Sequence, residues 1–154
     1  VSKVADTVTS EMKSWPLDPI VVTSDQDRHD AFSAANCALA ASGTVSLELA
    51  IAGVPHVIGY QLNAVTGWIA KRLIKVDTVT IVNLVLGNKL IPEFLQENCK
   101  AKNITQHLEA LMADGPERAA QIEGFDKACT LLGFGDRPPS EKAADQILKI
   151  IAKK

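Results

Sequence analysis

Apolar residues recur every four positions at the start of the chain (Val4, Val8, Met12), which is the spacing of one helix face and predicts a helix over residues 1–13. Pro16 and Pro19 break the pattern. The β-branched run Ile20-Val21-Val22-Thr23 then reads as a first strand, and Ser24-Asp25-Gln26-Asp27 as a loop opening a short helix over 28–36. Residues 37–41 form a second buried-strand candidate that ends at Ser42-Gly43-Thr44. Residues 45–52 read as a helix, with Gly53 just past its end and Pro55 beyond. Residues 56–60 predict a third strand, 64–75 a helix with Trp68, Ile69, Leu73 and Ile74 on it, and 78–86 the fourth and most β-prone run. After Asn88 the pattern is helical over 91–97, 104–113 and 116–132, and over 141–153 behind a Ser140 cap.

Strands that are continuously apolar and alternate with helices imply a parallel sheet covered on both faces, an α/β Rossmann-like arrangement. Four strands are few for such a sheet, and the chain opens on a helix where a doubly wound domain opens on a strand. The expectation is a domain incomplete at its N-terminal end. Composition agrees with a single globular domain: of 154 residues, 47 % are apolar and 22 % charged, enough apolar surface to offset the entropy of ordering. A net charge of −2 gives no broad footprint for nucleic acid. Cys37, Cys99 and Cys129 cannot all pair and show no C-x-x-C spacing, which fits a reducing compartment. With no apolar run of membrane-spanning length and no secretory leader, a cytoplasmic location is expected.

The strongest chemical signal is Ala40-Ala41-Ser42-Gly43-Thr44-Val45-Ser46-Leu47-Glu48, where a strand ends, a small turn follows and a helix begins. Open parallel sheets bind ligands at the carboxyl ends of their strands. A helix N-terminus supplies unpaired N–H donors and partial positive charge, suited to a diphosphate. Gly43 lets backbone approach such a group, and the Ser42 and Thr44 hydroxyls add donors. For the two hydroxyls taken alone, an ordinary helix cap is the better explanation. If Thr44 is the cap, Glu48 lies one residue beyond the capping-box position, and a carboxylate one turn into the helix suits the two hydroxyls of a ribose. His29, His56 and His107 show no metal-ligand spacing, and no cofactor is implied; His56 reads as a hydrogen-bonded core residue. There is no P-loop, G-x-G-x-x-G or G-x-S-x-G, which counts against a kinase, a dehydrogenase and a hydrolase.

The stretch from Ala41 to Ala50 with Gly53-Val54-Pro55 resembles the donor-site segment of UDP-sugar glycosyltransferases of the GT-B fold. Four later blocks narrow the likeness to lipid-A-disaccharide synthases: Gly59-Tyr60, Trp68-Ile69-Ala70-Lys71-Arg72-Leu73-Ile74-Lys75-Val76, Val82-Asn83-Leu84-Val85-Leu86-Gly87, and Pro92-Glu93-Phe94-Leu95-Gln96-Glu97. The resemblance covers the C-terminal half of that family. It implies a UDP-binding domain over 1–154 with C-terminal helices, an N-terminal acceptor and catalytic domain outside this chain, and no catalytic residues here. The implied reaction transfers 2,3-diacylglucosamine from UDP-2,3-diacylglucosamine to lipid X, forming the lipid A disaccharide and releasing UDP.

By the same resemblance, Ser42, Gly43 and Thr44 take the diphosphate, Glu48 the ribose, and Asn83 lines the donor site, with Tyr60 and Arg72 as further contacts and no metal. Val82 stands where the family carries proline, and Gln61 where it commonly carries arginine. Family enzymes handle lipid substrates, so the helix over 64–75, with Lys71, Arg72 and Lys75 beside its apolar stripe, reads either as packed on the sheet or as resting on anionic lipid at the inner membrane. A homodimer with exchanged C-terminal parts is also implied. The rival readings are another UDP-GlcNAc-using GT-B transferase and a non-catalytic α/β interaction domain.

Overall fold

The computed structural model describes residues 2–41, 43–62, 78–135 and 137–152. Ser42, Arg72 and the whole helix expected over 64–75 lie outside them. The chain divides into two compact units, Val1–Ala35 and Asn36–Lys154.

The first unit holds α1 (Ser2–Met12) and α2 (Asp25–Ala34). Ser24 caps α2 by accepting from the Asp27 amide at 3.0 Å, so this helix starts three residues earlier than its apolar pattern announces. Asp25 and Asp27 in its first turn suit the positive helix end. The run 20–23 is not a strand: Ile20 is 91 % exposed and has no neighbouring strand among the described residues.

The second unit is built on a three-stranded parallel sheet in the order β1 (Ala38–Ala40), β2 (His56–Tyr60), β3 (Glu93–Leu95). Ala38, Leu39 and Ala40 pair with His56, Val57 and Ile58, and Ile58, Gly59 and Tyr60 pair with Glu93, Phe94 and Leu95. Between β1 and β2 runs α3 (Thr44–Ile51) and between β2 and β3 lies α4 (Ile81–Leu86), followed by α5 (Ala101–Met112), α6 (Pro116–Leu132) and α7 (Pro139–Ile151).

Alternation along β2 sends side chains to opposite faces. On one face His56 stacks on Phe125 of α6, with ring centroids 5.3 Å apart, and bonds Ser46 of α3. On the other, Gly59 lies under α5, where an added β-carbon would meet Ile104 at 3.3 Å and Leu39 at 3.2 Å. Helices therefore cover both faces, as the α/β reading requires. Val57, Ile58, Val82 and Ile91 are fully enclosed, with Leu49, Phe125 and Ala128 closing the core.

Two elements exchange character relative to the sequence expectation. Residues 81–86, expected as a strand, form α4, and residues 93–95, expected within a helix, form β3. The β-branched composition of 78–82 is overridden by capping and burial. Thr80 accepts from the Asn83 amide, Gly87 ends the helix in the left-handed conformation at φ 67°, and Val82 and Asn83 turn inward. Ile91, Phe94 and Leu95 fit a helical stripe or a buried strand alike. The open edge of β2 decides between them: the Ile58 amide donates to the Pro92 carbonyl at 2.9 Å. The last helix opens on Pro138 rather than on a Ser140 cap, with proline at its first position, where no N–H is needed.

Candidate functional site

Parallel strands end together, so the carboxyl edge of the sheet carries the turn after Ala40, the chain leaving Tyr60, and the chain leaving Leu95. Gly43 occupies the helix-cap position of α3 at φ 135°, ψ −158°. A side chain makes that conformation costly, so glycine is required by the backbone itself. A β-carbon there would meet nothing within 4 Å, so the space beside it is open. Gly43 has no side chain with which to cap the helix, which leaves the opening amides of α3 to whatever approaches them. Thr44, which would be the cap of a helix beginning at Val45, is the first helical residue; it is exposed, and Glu48 stands half-buried one turn further along the same face.

The helix beside it is built the opposite way. The N-terminus of α4, which packs against α3, is closed by a carboxylate of the protein's own. Glu93 Oε1 accepts from the Thr80 amide at 3.0 Å, the Thr80 hydroxyl at 2.9 Å, the Thr78 hydroxyl, and Asn83 Nδ2 at 3.1 Å, while the Val79 amide is shared by both carboxylate oxygens at 3.1 Å. An anion already sits where α4 would bind one. Among the described residues, of the two adjacent helix starts that of α3 is the open one.

Asn83 is 1 % exposed. Its Nδ2 donates to the Ile91 carbonyl at 2.9 Å and its Oδ1 accepts from the Ile91 amide at 2.9 Å. In the structure described it joins α4 to the loop ahead of β3. Tyr60 ends β2 and is 39 % exposed. The register that sets Ala40 beside Ile58 carries Tyr60 two residues past β1, alongside the turn into α3.

His56, fully buried, is a core residue as its apolar setting implies. Its Nδ1 donates to the Val54 carbonyl at 2.9 Å and its Nε2 accepts from the Ser46 hydroxyl at 2.8 Å. Burial holds its pKa below the ordinary histidine value, with the Val54 hydrogen bond acting weakly the other way. Burial likewise pushes the Cys37 and Cys129 thiols up, away from thiolate chemistry. A cavity of about 410 Å³ lined by Lys89, Pro92, His107, Leu111 and Gln121 lies at the opposite, amino end of the sheet.

Two polar residues gave no chemical signal in the sequence. Gln121 of α6 accepts from the His56 amide at 2.9 Å and donates to the His56 carbonyl at 3.1 Å. Gln96, just past β3, has φ 51°. With its amide set to satisfy both atoms, Gln96 accepts from the Leu62 amide at 3.1 Å and donates to the Leu62 carbonyl at 3.3 Å. β2 turns the main chain of 56, 58, 60 and 62 toward β3, which is long enough to pair only 58 and 60. The two glutamines complete the ladder at either end. The one available hint was that Gln96 lies within the Pro92-to-Glu97 block.

Among the described residues, no helix is long and apolar enough to cross a membrane, and no group of three or more His, Cys, Asp and Glu is placed to hold a metal ion.

The family model described as lipid-A-disaccharide synthetase matches residues 8–148. Among curated relatives, the lipid-A-disaccharide synthase of Nitrobacter hamburgensis is 45 % identical over 142 residues, which is 92 % of this chain and 36 % of the relative. That of Nitrobacter winogradskyi is 43 % identical over 146 residues, covering 95 % and 37 %. That of Rhodospirillum centenum is 42 % identical over all 154 residues, or 38 % of its own length. The chain thus spans little more than a third of these relatives. With its α/β sheet and the segment from Gly43 to Glu48 inside the matched region, the chain belongs to the lipid-A-disaccharide synthetase family.

Proposed function

We propose that this chain is the UDP-binding portion of a lipid-A-disaccharide synthase, a hexosyltransferase that moves 2,3-diacylglucosamine from UDP-2,3-diacylglucosamine onto lipid X. The observation that carries the reading is the open N-terminus of α3 at Gly43, with Thr44 exposed and Glu48 one turn along on the same side. The amides of α3 and the hydroxyls of Ser42 and Thr44 hold the diphosphate, and Glu48 accepts from the ribose hydroxyls. When the glycosidic bond breaks, negative charge gathers on the departing diphosphate. Fixed N–H donors aimed at it act without reorganising, and each charge-assisted hydrogen bond contributes about 1.5–3 kcal/mol.

Asn83 serves this site from α4, which its amide ties to Ile91 in the loop ahead of β3, and Tyr60 walls it from the β2 side. Arg72 is a further phosphate contact in the same reading. The acceptor site and catalytic base come from the remainder of the protein. A nucleotide sugar and a lipid acceptor set the work on the cytoplasmic side of the inner membrane, with peripheral contact. The exposed Ile147, Leu148, Ile150 and Ile151 of α7 support a homodimer.

Titration with UDP, followed by amide NMR, tests the reading. Shifts concentrated on residues 42–48 and Tyr60 are expected. A flat spectrum at millimolar UDP in the protein at full natural length overturns it and favours an interaction domain.

A further inference from the structure

The connection from β2 to β3 leaves the strand after Tyr60, is described as far as Leu62 and is described again from Thr78. Both of its stems are gripped by β3 and its flank. Glu93 holds the returning stem through the Thr78 hydroxyl, the Val79 and Thr80 amides and the Thr80 hydroxyl. Gln96 holds the departing stem through both polar atoms of Leu62. Glu93 opens a strand only three residues long, and Gln96 directly follows its last residue.

Gln96 reaches Leu62 from a left-handed backbone turn, the one positive φ outside glycine among the described residues. A β-carbon resists that conformation, and glutamine lacks the short local hydrogen bond that eases asparagine into it. The bonds to Leu62 are what the strain obtains in return, and strain of this kind collects where geometry matters for function.

We infer that Gln96 is a positioning residue of the nucleotide site: by pinning Leu62 it sets the path of the chain leaving Tyr60, and with it the wall that faces the turn at Gly43. Glu93 completes the clasp by anchoring the other stem. The inference rests on the nucleotide-site reading given above. Gln96 does not touch the nucleotide in this account; it acts through Tyr60 and Leu62.

The test uses the protein at full natural length with Gln96→Gly and Gln96→Asn. Glycine suits the left-handed turn and removes the amide, while asparagine suits the turn and stops one methylene short of Leu62. Calorimetric titration with UDP is read beside the thermal midpoint and the hydrogen exchange of the Leu62 amide. Both variants are expected to weaken UDP binding about tenfold or more, as small misplacements at a site do, and to speed Leu62 exchange, with the thermal midpoint held. Parental UDP affinity in both variants overturns this inference alone, and so does a loss of affinity that only tracks a falling midpoint. A parent protein that takes no UDP overturns the nucleotide-site reading and this inference with it.

Discussion

Replacing Gly43 with alanine separates a backbone requirement from a packing requirement. Among the described residues the added methyl meets no atom within 4 Å, so crowding by them contributes nothing. The entire cost is conformational, because φ 135° with ψ −158° is a region that only glycine visits freely. A side chain held there costs on the order of 1–3 kcal/mol. The chain either bears that cost as lost stability or relaxes the turn, and relaxing it swings the opening amides of α3 off their aim.

Gly53, past the far end of α3, supplies the control. It is also at positive φ, 70°, and also opens onto empty space. Gly53→Ala carries a left-handed strain of roughly 1–2 kcal/mol with no site beside it. Urea denaturation and UDP titration of both variants give the comparison. Gly53→Ala should lower stability and leave UDP affinity as it was. Gly43→Ala should lose affinity by about tenfold or more, since 1.4 kcal/mol of misdirected amide interaction is already a factor of ten. If Gly43→Ala binds UDP within twofold of the parent, or if Gly53→Ala loses as much, the open helix start is not the anion site.

Three further outcomes follow from the same contacts. Gln121→Leu strands the buried amide and carbonyl of His56 at about 1–3 kcal/mol each, so urea unfolding should show a loss of roughly 2–6 kcal/mol with UDP binding retained. His56 has a folded pKa below its unfolded value of about 6.5, so the stability it contributes is present above that pH and drains away as pH falls below it. Denaturation midpoints at pH 7.5 and 5.5 should converge in His56→Gln, and equal pH dependence in both proteins refutes the assignment. Glu93→Gln replaces an acceptor shared by several donors with an amide whose NH₂ faces some of them. It should cost about 1.5–3 kcal/mol and accelerate exchange of the Val79 and Thr80 amides, and unchanged exchange there argues against the clasp.

Local chemistry on its own announced much of this chain. The bounds of β2 and α6 match the expectation, because His56–Tyr60 is an unbroken strand run and the helix Pro116–Leu132 begins on proline and ends on Gly133 at φ 82°. The turn at Gly43 and the position of Glu48 one turn into a helix were legible for the same reason: glycine after a strand and before a helical pattern has few conformational uses. Residues 78–86 and 93–95 were not legible. Their side chains suit strand or helix alike, and the choice fell to partners distant in sequence, with β2 needing a third strand and the Glu93 carboxylate waiting for the amides at Val79 and Thr80. That both atoms of the Asn83 amide are bonded to Ile91 was decided by packing and not by any local pattern. Gln121 carried no pattern and Gln96 only its place in the Pro92-to-Glu97 block, because a glutamine that completes a strand ladder does so through the main chain of another segment, and a strand's open edge exists only once the sheet has formed.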